Sequence, residues 1–208
     1  MANFVNIPGV PFPLTSSPAG AWKFDEHTSS LVATAGPRTD LFIDPGGSTT
    51  LDAESALNAA TLLGAAPAGD FRLSARATVG FGATYDAGVL LLWIDELHWG
   101  KLCFEFSPAR EPMVVSVVTR GVSDDANGFV VPGSSLWLRL SRIDQAYAYH
   151  ASADGKRWRM IRYFRVTESR ASVKVGFEAQ SPTGDGCTVR FDEIRFVAER
   201  LRDLRDGS

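Results

Sequence analysis

The sequence predicts an all-β fold, two antiparallel sheets packed face to face, and three observations carry that prediction. The stretch Ser152-Ala-Asp-Gly-Lys-Arg-Trp158 follows the aromatic pair Tyr147 and Tyr149, and its Asp154-Gly155 step supplies the positive backbone dihedrals of a tight hairpin turn. The nine residues Phe71 to Val79 alternate apolar or small groups with polar ones, the period of a strand buried on one side. Many further short apolar runs are separated by links rich in Gly, Pro, Asp and Asn, a spacing that favours sandwiches over parallel α/β folds.

Taken in order, residues 1–20 carry Pro8, Pro11, Pro13 and Pro18, which break any helix. With Phe4, Val5, Ile7, Phe12 and Leu14 they are expected to form an extended arm lying along the body. Trp22-Lys-Phe24 begins a strand, and Leu31 to Ala35 and Leu41 to Ile43 give two short strands around Gly36-Pro37. Asp44-Pro45-Gly46-Gly47 is a break. Residues 51–63 read as one short helical turn or an irregular strand.

Val89 to Ile94 is almost wholly apolar and fits a strand covered on both faces. Strands are then expected at 98–106, 113–120, 136–141, 146–151, 159–166, 173–179 and 188–196. The turns between them fall at Asp95-Glu96, 108–112, 124–128, Pro132-Gly133, Asp144-Gln145 and 182–186. This divides the chain into the arm at 1–20, one sandwich domain at 21–200 and a charged tail at 201–208.

The chain has 208 residues, 45% hydrophobic and 22% charged, with 13 Phe and 5 Trp to fill a core. Its formal net charge of −3, with arginines scattered among carboxylates, argues against a nucleic-acid partner. No apolar stretch reaches membrane-spanning length and the first residues do not read as a signal peptide, so a cytoplasmic protein without a membrane partner is expected. The two cysteines, Cys103 and Cys187, lie in apolar contexts and are expected to be reduced packing residues. Neither has metal-ligand spacing, and no metal or cofactor is expected.

Candidate site residues follow from alternation. In 98–106, Leu102, Phe104 and Phe106 point one way, so Trp99, Lys101, Cys103 and Glu105 point the other. The same reading sets Arg120 against Thr119, Arg139 against Leu138 and Leu140, His150 against Tyr149, and Glu178 and Gln180 against Phe177 and Ala179. If these strands share one sheet, Trp99, Lys101, Glu105, Arg120, Arg139, His150 and Gln180 gather on an open face with Tyr85 and Asp86 at its rim. Flat aromatics with a few fixed polar groups suit a sugar; a solvated face bearing soluble ion pairs is the competing reading. His150 has no Ser and Asp partners pointing to a triad, and Asp124-Asp125-Ala-Asn127-Gly128 reads as a polar hairpin rather than a cation loop.

Tyr85-Asp-Ala-Gly-Val-Leu, His98-Trp-Gly-Lys-Leu-Cys-Phe-Glu, Val115 to Asp124, Trp137-Leu-Arg-Leu-Ser-Arg, His150 to Trp158 and Gln180-Ser-Pro-Thr-Gly occur in that order across roughly residues 20–200. Together they resemble the concanavalin A-like proteins of unknown function that include the yeast regulator of enolase, and are similar to accessory β-sandwich modules of β-xylosidases. The resemblance implies a jelly-roll sandwich of the lectin and glucanase type whose concave sheet binds saccharides in many relatives. It also departs from the β-glucan hydrolases: their Glu-x-Asp-x-x-Glu strand pattern is missing, since Glu105 is followed by Phe106, Ser107 and Pro108. The leading expectation is a non-catalytic protein binding a carbohydrate or polyol, with Trp99 and Tyr85 stacking and Lys101, Glu105, Arg120, Arg139, His150 and Gln180 as polar contacts. The alternatives are a protein-interaction module regulating a metabolic enzyme, and a glycoside hydrolase using an unrecognised pair such as Asp86 and Glu105.

Overall fold

A computed structural model describes residues 4–46, 55–166 and 172–208. Among the described residues there are seventeen strands and no helix, arranged as a jelly-roll sandwich of two large antiparallel sheets. The eight-stranded sheet runs β1 (Phe4–Val5), β2 (Leu14–Ser17), β7 (Ala60–Ala65), β16 (Lys174–Gln180), β9 (Ala87–Asp95), β10 (His98–Phe106), β11 (Pro112–Arg120) and β12 (Val122–Val130). The seven-stranded sheet runs β15 (Arg159–Phe164), β14 (Ala146–Ser152), β13 (Ser135–Ile143), β8 (Phe71–Val79), β17 (Cys187–Val197), β4 (Ser30–Ala35) and β3 (Trp22–Asp25). A third, two-stranded sheet pairs β5 (Leu41–Phe42) with β6 (Ala56–Leu57).

The main core fills the space between the large sheets. Leu90, Leu102, Phe104 and Phe177 from one side meet Leu73, Leu138, Tyr149 and Phe191 from the other, all fully buried. Strand alternation dictates this, because β8 buries every odd residue from Phe71 to Val79 and turns the intervening ones outward. A hairpin joins β14 and β15, as a loop over 153–158 rather than a tight turn: of Asp154 and Gly155 only Gly155 has a positive φ (+68), and Asp154 Oδ1 accepts the backbone N–H groups of Lys156 and Arg157 at 2.9 and 2.8 Å.

Two expectations are corrected and a third is narrowed. The N-terminal residues are not an arm laid on the body, since Phe4–Val5 and Leu14–Ser17 are sheet strands and Leu14 is buried in the core. Their prolines sit between and beside the strands, where no ladder N–H is needed. Residues 124–128 are not a turn but the middle of edge strand β12, the chain having already reversed at Gly121 (φ +80). The reading of 51–63 as one short helical turn or an irregular strand lies partly outside the described residues; within them its second alternative holds, with β6 at Ala56–Leu57 and β7 beginning at Ala60.

Candidate functional site

A second apolar cluster lies on the outer face of the eight-stranded sheet. Ala87, Val89, Leu91, Trp99, Cys103, Val115 and Val117 of that face are covered by Leu41 and Ala59, with Ile43 packed alongside, all from the segment that carries β5 and β6. Val89 and Leu91 are therefore as buried as Leu90 and Leu92, which explains why alternation vanishes from this run. The covering segment is fastened to β12, with Ser123 N–H donating to Ile43 O and Ile43 N–H donating to Ser123 Oγ, both at 2.9 Å.

Polar groups interrupt this cluster. Register places Gln180, Ala87 and Glu105 in one cross-strand row, Glu178, Val89, Cys103 and Val115 in the next, and Gly176, Leu91, Lys101, Val117 and Asp125 in a third. Lys101 is 2% exposed, and its Nζ donates to Asp40 Oδ1 and to Gln180 Oε1, each at 2.8 Å. Burial alone would lower its ammonium, but the charges of Asp40 and Glu178 more than compensate and hold it above its ordinary value. Glu178 is fully buried and neither of its carboxyl oxygens has a hydrogen-bond partner. Burial pushes it up to about 8, against the pull of Lys101. Glu105, partly exposed, is likewise pushed up to about 8 by burial, with Lys101 opposing and Asp125 reinforcing.

At the end of this face stands Tyr85, 40% exposed, in a left-handed backbone conformation (φ +70) that is costly for a bulky side chain. Its N–H donates to Phe106 O at 2.7 Å, next to Glu105, and its carbonyl accepts from Gln180 Nε2 at 3.1 Å. Tyr85, Glu105, Gln180 and Lys101 thus form one linked group, to which the structure adds Glu178 and Asp40. Alternation set Glu178 on this side of its strand, whereas nothing in the sequence tied Asp40 to a lysine 61 positions away.

The other expected residues lie elsewhere. Trp99 shares the face but is fully buried beneath the covering segment, so its ring is closed to a ligand. Asp86 is a loop fastener: its carboxylate accepts from Gly82 N–H and Ala83 N–H at 2.8 Å and from Ser181 Oγ at 2.6 Å. This leaves the supposed pair of Asp86 and Glu105 without a free first member. Arg120 is exposed at the end of β11, and it is Thr119, opposite Trp99, that belongs to the face. Arg139 and His150 are opposite each other on the outer side of the seven-stranded sheet, a different layer of the molecule. Alternation tells which way a side chain points within its strand, but not which sheet the strand joins.

The profile of the family described as "Protein of unknown function (DUF1349)" matches residues 17–198, most of the chain. The chain belongs to the DUF1349 family. A relative from Saccharomyces cerevisiae, Regulation of enolase protein 1, is 29% identical over 148 residues, 70% of this chain and 73% of the relative. Among solved structures, a functionally unknown protein from Saccharomyces cerevisiae superposes with a TM-score of 0.72 at 23% identity, covering 85% of this chain and 91% of the other. The GH43 protein BlXynB from Bacillus licheniformis superposes with a TM-score of 0.71 at 14% identity, covering 95% of this chain but only 39% of that one. These likenesses show the fold, and with it the sandwich architecture expected from the sequence.

No helix among the described residues is long and apolar enough to cross a membrane. Cys103 and Cys187 are both buried and free.

Proposed function

We propose that this DUF1349 protein is a cytoplasmic, non-catalytic binding protein that takes a carbohydrate or polyol at the Tyr85 end of the eight-stranded sheet. The observation that carries the reading is the strained, exposed Tyr85 ring joined through its own backbone to Gln180, and so to Lys101, with Glu105 beside it. An aromatic face meets the apolar side of a pyranose, and partly exposed carboxyl groups bond its hydroxyls. Absence of the Glu-x-Asp-x-x-Glu strand pattern and the full engagement of Asp86 favour binding over hydrolysis. Calorimetry against a panel of neutral saccharides and polyols tests this. Heat of binding should vanish in Tyr85→Ala and weaken about tenfold in Glu105→Ala, the scale of one lost hydrogen bond. No heat with any member of the panel, or equal heat in both variants, overturns the reading.

A second reading, a module that docks on a metabolic enzyme, draws on the enolase-regulating relative and on one flank of the sandwich. There the edge strands β12 and β15 lie side by side, bridged by Arg162 Nη1 to Asp124 Oδ1 at 3.5 Å, and expose Val122, Val130 and Tyr163 by about half. Purified enolase retained by the immobilised wild type but not by Val130→Asp with Tyr163→Asp would favour it; equal retention would remove it.

A further inference from the structure

The outer side of the seven-stranded sheet carries a row of hydrogen-bond donors with almost no acceptors. Register places His150, Arg139, Ser74 and Arg195 opposite one another on β14, β13, β8 and β17, and the adjacent row brings Ala148, Ser141, Arg72 and Val197. These side chains point away from the core because their neighbours, Tyr149, Leu138, Leu140 and Leu73, fill it.

The carboxylates near the row already have partners: Asp206, whose charge reaches His150, accepts from Ser208 N–H at 2.9 Å. Glu199 pairs with Arg72 Nη2 at 2.8 Å, Asp192 and Glu193 hold Arg76, and Asp70 and Asp144 hold Arg200. Among the described residues no carboxylate lies within ion-pair distance of Arg139 or Arg195. The Arg139 guanidinium rests on the Trp158 ring at 3.6 Å and gives one N–H to Gly207 O, leaving its other donors unassigned. Burial and the neighbouring charges of Arg72 and Arg195 lower Arg139 to about 10, the signature of a cation without its counter-charge.

Two further donors of this surface are orphaned. Ser141 Oγ, in a residue that is fully buried, and Arg72 Nε have no hydrogen-bond partner. Both atoms are closed to solvent, so the part of the row that a ligand can reach is Arg139, Ser74 and Arg195. Arg195 is exposed and Ser74 is half-buried, so the row is open to solvent between them.

We propose that the Arg139–Ser74–Arg195 row binds a phosphate group, either as free phosphate or as the head of a small phosphomonoester. Two flanking guanidinium forks and a central hydroxyl match an oxyanion with several acceptor oxygens better than they match one another, since like charges on adjacent strands otherwise repel. Trp158 fixes the Arg139 plane and so reduces the ordering cost of binding. This site is on the opposite side of the molecule from Tyr85 and does not depend on the saccharide reading.

Calorimetry on the full chain with inorganic phosphate and with glycerol phosphate, in a chloride buffer, tests the proposal. Saturable binding of either is expected, weakened at least tenfold by Arg195→Gln and by Arg139→Gln, and unchanged by Tyr85→Ala. Tighter binding of inorganic phosphate identifies the free ion as the ligand, and tighter binding of glycerol phosphate identifies an esterified head; either ranking supports the site. Arg195 is exposed, so its substitution should leave the fold intact even if that of Arg139 does not. Absence of saturable binding by both probes, or wild-type affinity in Arg195→Gln, overturns the proposal.

Discussion

Glu178 sits fully buried with both carboxyl oxygens unpaired, beside a lysine whose charge Asp40 already matches. A carboxyl group in such a place keeps its proton, and burial accordingly pushes it up to about 8 from an ordinary 4.5. The consequence for stability has a definite sign. Below the ordinary value both folded and unfolded chains hold the proton and the contribution is fully present. As pH rises from there towards about 8 the unfolded chain releases it first, so folding loses ground across that window and levels off above it. Glu105, also pushed up to about 8, adds to the same slope. Urea midpoints measured at several pH values should fall between the two limits in the wild type and fall less in Glu178→Gln; identical profiles would mean that Glu178 is not the group responsible. At this scale the sequence was a partial guide. Alternation within β10 and β16 placed Lys101, Glu105, Glu178 and Gln180 on outward sides, and they do share a face. The same rule drew Arg139 and His150 into that group, where only knowledge of strand order could have kept them out.

The β5–β6 pair shows what local pattern leaves unread. Leu41 to Ile43 reads as a short strand, but nothing local says that Leu41, with the flanking Ile43 and Ala59, roofs over the apolar middle of the eight-stranded sheet. The roof carries Asp40, and the 2.8 Å ion pair between Asp40 and Lys101 pins it. Removing one member of a buried pair leaves the other uncompensated and typically costs about 3–5 kcal/mol, whereas replacing both with apolar groups of similar size is often close to neutral. Lys101→Met should therefore lose about that much in equilibrium denaturation, and Lys101→Met with Asp40→Leu should recover most of it. A double variant as unstable as the single one would show that Lys101 stabilises the protein through its contact to Gln180 within the sheet and not through the ion pair to the roof. The longer elements were legible because their cues are local: the chain reversal at Asp154-Gly155, the nine-residue alternation of β8 and the unbroken apolar run of β9. The strand β12 was missed because its Asp, Asn and Gly residues have the composition of a turn, and it is pairing with β11 that holds them extended.

For the molecule as a whole, the added roof turns a two-layer sandwich into one that is three layers deep over part of its area. Strands β9 and β10 lie at the middle of that stack, with Leu90, Leu92, Leu102 and Phe104 in the main core and Val89, Leu91, Trp99 and Cys103 beneath the roof. Strands β13 and β8 occupy the corresponding middle of the other sheet, but Arg139, Ser74 and Arg72 on their outer side stay at least partly open to water. The two sheets should thus differ in how readily they breathe. In heavy water, backbone amides of β9 and β10 are expected to be the last in the chain to take up deuterium, outlasting those of β8 and β13. Equal lifetimes in the two sheets would mean that the roof lifts on the timescale of exchange and shields nothing.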